Sequence, residues 1–106
     1  MNTITHNGVT YPFRLSYKAL KSSLRATGLE LAELDQMKLE HIAIFAVESI
    51  NNGFKKEGKD DKVTLDQVED WLDDDFGLLT QINEAISYDM KVLIEPSEAG
   101  GDNTGK

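Results

Sequence analysis

The sequence predicts a mainly α protein, an N-terminal β-hairpin followed by a compact bundle of three to four helices, and three observations lead there. Asn7-Gly8 stands between two β-prone runs, Thr3-Ile4-Thr5-His6 and Val9-Thr10-Tyr11-Pro12-Phe13. Both central residues of a type I′ turn need positive φ, which Asn and Gly tolerate. Downstream, apolar residues recur every three or four positions in successive blocks, the period of a helix with one buried face. Helix start and stop residues, Ser16, Gly28 and Thr64 among them, fall between those blocks.

Taken in order, the hairpin comes first. A two-stranded ribbon is marginal alone, so Val9, Tyr11 or Phe13 must pack on a helix or join another sheet. Pro12 has no N–H and suits a strand end or edge. Ser16 caps a first helix with Tyr17, Leu20 and Leu24 at helical spacing, and Gly28 stops it. After a short segment over residues 29–34, Asp35 is placed to cap a second helix running from about Met37 towards Asn52 or Glu57. Leu39, Ile42, Ala43, Ala46, Val47 and Ile50 share one face of that helix, and Ile44 and Phe45 flank the opposite arc. So wide an apolar surface marks a central helix buried on more than one side.

Residues 58–62 form a polar loop. Thr64 with Gln67 then makes a capping box, Val63 and Val68 a hydrophobic staple, and a third helix starts near Leu65. Leu65, Val68 and Leu72 face inward there, with Trp71 on the shoulder. A break at residues 75–77 precedes a fourth helix carrying Leu79, Ile82, Ile86, Met90 and Leu93 in a stripe. The predicted core is Leu20, Leu24, Ile42, Ala46, Ile50, Val68, Leu72, Ile82 and Ile86. From Glu95 onward no apolar periodicity survives, which predicts one folded domain over residues 1–94 and a disordered tail over 95–106.

Composition narrows the function classes. An apolar fraction of 40% and 106 residues suffice for one core. The formal charge of −8 repels phosphate backbones and anionic lipid surfaces, which argues against nucleic acid or a membrane as principal partner. No cysteine is present, so disulfide and thiolate chemistry are ruled out. Residues 1–8 carry no apolar block like a signal peptide, and no run approaches the roughly 20 apolar residues of a membrane span; a cytoplasmic protein is the expectation.

Catalytic patterns are missing. The histidines are His6, beside the hairpin turn, and His41, on the polar face of the central helix two turns before Glu48. No HExxH, GxSxG or glycine-rich phosphate loop occurs, and Ser22, Ser23 and Ser49 have no neighbouring base. The acidic loop fails as a calcium loop: aligned on Val63, it puts Lys56 and Gly58 at ligand positions, Asp61 where glycine belongs and Gln67 where a bidentate glutamate belongs. No catalytic set, metal or cofactor is expected.

Charge is distributed unevenly instead. Residues 1–28 carry Arg14, Lys18, Lys21 and Arg25 and no acid, whereas residues 57–75 carry Glu57, Asp60, Asp61, Asp66, Glu69, Asp70, Asp73, Asp74 and Asp75 against Lys59 and Lys62. On one helix the four basic residues would lie within roughly 60° of one another. Three readings stay open: two solvated faces; complementary docking between copies or onto a charged partner, where such patterning steers encounter and orientation; and, least favoured by the net charge, nucleic-acid binding by the basic ridge. Trp71, Phe54 and Phe76 are either core residues or partner anchors. Asp89 borders the apolar stripe of the last helix and is expected to pair with a lysine or arginine. Arg14, Lys18, Lys21, Arg25, Asp66, Asp70, Trp71 and Asp73 are the candidate protein-binding residues.

The run Asn7-Gly8-Val9-Thr10-Tyr11-Pro12-Phe13-Arg14-Leu15-Ser16-Tyr17-Lys18-Ala19-Leu20 resembles the start of tail assembly chaperones from long-tailed bacteriophages, in which a β-ribbon ending in an aromatic-Pro-x-Arg segment enters a first helix. Gly28-Leu29 resembles that family's glycine after the first helix. Val63-Thr64-Leu65-Asp66-Gln67-Val68-Glu69-Asp70-Trp71-Leu72 resembles its Thr-capped acidic helix, and the likeness in pattern and order spans residues 4–93. It implies a non-catalytic protein of the host bacterial cytoplasm, absent from the mature virion, that binds the tape measure protein, keeps it soluble and helps recruit the tail tube protein. It also raises a longer, frameshifted form, for which the tail from Glu95 would be the extension point. The alternatives are another small phage structural protein, such as a head–tail connector or tail component, and an unrelated acidic helical adaptor.

Overall fold

The structure, a computed structural model, describes residues 2–94. The tail predicted from residue 95 lies outside the described residues. Strands β1 (Asn2–His6) and β2 (Val9–Phe13) pair antiparallel, with His6 opposite Val9 and Asn2 opposite Phe13. Asn7 and Gly8 take φ of 52° and 77°, the left-handed pair that a two-residue turn requires. Ile4, His6, Tyr11 and Phe13 share the inward face of the ribbon, and Ile4 and Phe13 are fully buried. Val9 stays exposed at the turn end, so Tyr11 and Phe13 dock the ribbon.

Helix α1 (Tyr17–Thr27) opens as expected. The Ser16 hydroxyl accepts from the Ala19 N–H, and Gly28, at φ 77°, closes the helix with its N–H on the Leu24 carbonyl. Its inward face differs from the prediction. Ala19 and Ser23 are buried against α2, Leu20 and Leu24 are half-buried at the flanks, and Tyr17 is exposed. Small side chains let two helices approach closely and push the larger ones to the edges of the contact.

A 3-10 helix (Leu31–Gln36) follows, and it moves the start of the next helix. Asp35 lies inside that turn rather than at a cap. The Glu30 N–H donates to the Glu33 carboxylate at 2.8 Å, so helical winding already begins there. Helix α2 (Leu39–Lys56) starts after Lys38, whose N–H donates to Nδ1 of His41 at 3.1 Å. His41 is thus a helix-start residue. Ile42, Ala43, Phe45, Ala46, Ile50 and Phe54 are buried, which is the multi-sided burial expected of a central helix; Leu39, assigned to the inner face, is exposed.

Helix α3 (Leu65–Asp74) carries the predicted capping box. The Thr64 hydroxyl accepts from the Gln67 N–H at 3.1 Å, and the side-chain Oε1 of Gln67 accepts from the Thr64 N–H at 2.8 Å. Val68 is buried, Leu72 half-buried, and Leu65 turns outward at 38% exposure. The chain breaks at Asp75 to Gly77, where the Asp75 carboxylate accepts from the Gly77 N–H, and α4 (Leu78–Ile94) begins. Leu78, Ile82, Ala85 and Ile86 form its buried face; Leu79, Met90 and Leu93 are half-buried.

Side-chain amides and one carboxylate lock these elements together. Asn51 on α2 donates to the Val63 carbonyl and accepts from the Val63 N–H, holding the approach to α3. Gln81 on α4 does the same to both backbone groups of Thr5 at 3.0 Å, covering the outer edge of β1. Asn52 donates to the Arg14 carbonyl and the Ser16 hydroxyl, while the Arg14 N–H donates to the Ser49 carbonyl, so the β2–α1 connection lies on α2. At Gly53 a Cβ would come within 2.8 Å of the Pro12 side chain and 3.0 Å of its backbone, so α2 needs glycine there to let β2 approach.

Candidate protein-interaction surface

The basic residues do not form one ridge of four. Lys18, Lys21 and Arg25 lie exposed on α1 at spacings of three and four, a single strip of that helix. Arg14 precedes the helix, because Ser16 caps it, and is half-buried in the connection held on α2. On α3, Asp66, Asp70 and Asp73 lie exposed with Glu69 beside them. The basic strip and the acidic strip make no ion pair with each other. Among the described residues the ion pair formed is Lys59 with Glu57, 3.4 Å apart and exposed, in the loop after α2.

The three aromatic candidates part ways. Trp71 stacks on His6 with ring centroids 5.3 Å apart and packs at a tilt of 36° on Tyr11 at 4.6 Å, and Tyr11 meets Phe54 edge-on at 6.4 Å. Trp71 therefore fastens α3 to the hairpin with one side half-exposed, and Phe54 is core. Phe76 is 65% exposed in the break between α3 and α4.

Asp89 does not pair with a lysine or arginine. Its Oδ2 accepts from the Leu15 N–H and its Oδ1 from the Asn2 side-chain amide, each at 2.8 Å. Burial pushes its pKa up from the ordinary 3.8, and the hydrogen bonds from Leu15 and Asn2 partly oppose that shift. It lies in the wall of a cleft of ≈ 700 Å³ that Arg14, Tyr17, Lys56, Tyr88 and Val92 also line, so this depression is aromatic with a basic edge.

No protein-family model, curated protein or solved structure matches the chain.

A second depression is of the opposite sign. Between the start of α2, the end of α3 and the start of α4 lies a groove of ≈ 470 Å³ with Leu39, Ala43, Leu72, Phe76 and Leu79 on its floor and sides and Glu40, Glu69 and Asp73 around it. Leu39 is 58% exposed there. Large apolar side chains left in water beside one another mark interaction surfaces more often than scattered ones do. Periodicity hid this groove: Leu39 has the phase of the buried face but stands on the first turn of α2, beyond the reach of its neighbours. Phe76 falls between helices, where no period applies. Among the described residues no group of three or more His, Asp or Glu side chains is arranged to hold a metal ion, and no helix is long and apolar enough to cross a membrane.

Proposed function

We propose that the protein is a non-catalytic tail assembly chaperone of a long-tailed bacteriophage, which binds the tape measure protein in the host cytoplasm, helps the tail tube protein assemble on it, and leaves before the virion is complete. The observation that carries this reading is the exposed apolar groove bordered by Glu40, Glu69 and Asp73 on a strongly acidic helical body. A protein that keeps an apolar helical client in solution needs apolar side chains offered to the client and a net charge that repels other complexes. The order of ribbon, Pro12-Phe13-Arg14 segment, glycine-stopped helix and Thr-capped acidic helix, on which the resemblance rests, supports the reading. Copies of the chain also contact one another weakly through the basic strip of α1 and the acidic strip of α3.

Co-expression with the tape measure protein of the same genome tests the proposal. The expected result is a tape measure protein that is soluble and co-purifies with the chain, while the purified virions lack the chain. A chain retained in virions would make it a connector or tail component, and a tape measure protein equally insoluble with and without it would end the chaperone reading.

A further inference from the structure

A further depression lies along the same face of α4 as the acidic groove. Leu79 lines the groove, and Asn83, Ile86 and Met90, at spacings of four, three and four along the same helix, line the further depression of ≈ 370 Å³ under the 3-10 helix. Together they follow α4 for three turns, about 16 Å. The charged side chains lining the two are Glu40, Glu69, Asp73 and Asp35; neither a lysine nor an arginine lines either. The cleft beside Asn2, Leu15 and Tyr88 has Arg14 and Lys56 beside the part-buried Asp89, so the uniformly acidic lining belongs to this face rather than to the protein's average charge.

We infer that this face is the client site, and that its occupant is an amphipathic helix of about three turns whose apolar stripe is flanked by lysine or arginine. This inference deepens the proposed function and rests on it for the identity of the client. Apolar residues spaced at i, i+3, i+4 and i+7 on the occupant would lie against Leu39, Leu72, Phe76 and Leu79, the helix-in-groove mode of recognition. Basic residues on its two flanks would meet Glu40, Glu69 and Asp73. Those contacts are exposed, so they select the sign of the partner and its orientation, and the apolar contacts supply most of the affinity. An acidic helix of equal hydrophobicity is rejected by the same carboxylates.

The test uses the full chain and three synthetic peptides of about 18 residues, long enough to hold some helix in water. One has a leucine stripe flanked by lysines, one the same stripe flanked by glutamates, and one the lysine composition in scrambled order. Backbone amide NMR should show the first peptide perturbing Leu39, Glu40, Leu72, Phe76 and Leu79, with the other two binding at least tenfold more weakly. Leu39→Ser with Phe76→Ser, both exposed and so compatible with folding, should remove binding while the circular dichroism stays unchanged. Perturbations that map elsewhere, or equal binding by the scrambled peptide, would overturn the site. Co-expression separates the two claims. A double variant that still keeps the tape measure protein soluble sinks the groove and leaves the chaperone, whereas a wild-type chain that binds the lysine peptide in the groove yet leaves the tape measure protein insoluble sinks the chaperone and leaves the groove.

Discussion

Asp89 sits where three segments meet: it is on α4, one oxygen takes the Leu15 N–H ahead of α1, and the other takes the Asn2 amide on β1. Burial raises its pKa, so the folded state holds its proton to higher pH than the unfolded chain does. In the window just above 3.8 the native state binds more protons, and this residue's contribution to stability therefore falls as pH rises through that window and is level above it. A carboxyl-carbon NMR titration should place the midpoint of Asp89 above 3.8; a midpoint below it would mean that the two hydrogen bonds outweigh desolvation. Asp89→Ala leaves the Leu15 N–H and the Asn2 amide without their acceptor in a part-buried place. The expected loss is about 1–3 kcal/mol in urea unfolding at neutral pH.

Between elements, β2 approaches α2 closely at Gly53. Alanine is intrinsically the better helix residue by about 1 kcal/mol, yet a methyl here meets the backbone of Pro12 and Phe13, and overpacking of that kind costs typically 1–3 kcal/mol. Gly53→Ala should therefore lower the urea midpoint, and a raised midpoint would show that the hairpin can slide outward at little cost. Nothing in the neighbouring residues announces this glycine, because its reason lies some forty residues away. The same holds for Asn51, Gln81 and Asp89, whose partners are Val63, Thr5 and Leu15. By contrast the Asn7-Gly8 turn, the Ser16 cap, the Gly28 stop and the Thr64–Gln67 box were legible because each is satisfied within four residues of itself. The 3-10 helix has no apolar period of its own to mark it, and its Glu30–Glu33 pairing competes with the start expected at Asp35. In the candidate surface the acidic strip could be read from the concentration of carboxylates over residues 57–75, while the groove depends on how three helix ends converge.

At the scale of the whole molecule, opposite charge on α1 and α3 is presented outward with no pairing between the two strips. Surfaces of opposite sign on one chain can meet head to tail without closing a ring. Exposed pairs are screened beyond about 8–10 Å at physiological salt, so contact between copies should be weak and salt-sensitive. Replacing Lys18, Lys21 and Arg25 with glutamate should reduce association in sedimentation at low salt, and Asp66, Asp70 and Asp73 exchanged for lysine in the same chain should restore part of it. Association indifferent to both salt and these exchanges would assign it to the apolar faces instead.

The clasps on β1 set an order of events. The hairpin precedes the helices along the chain, yet Gln81 and Asp89, which hold Thr5, Asn2 and Leu15, come at the far end of the described chain. Contacts this distant in sequence form only after the chain between them has been made, and closing so long a loop slows the search. The ribbon is thus made before the residues that clasp β1, and those clasps close only once α4 has been made, whereas β2 can meet α2 earlier. A nascent chain stalled before residue 81 would carry β1 without the helix that packs on it, with the outer edge of that strand open to a neighbour.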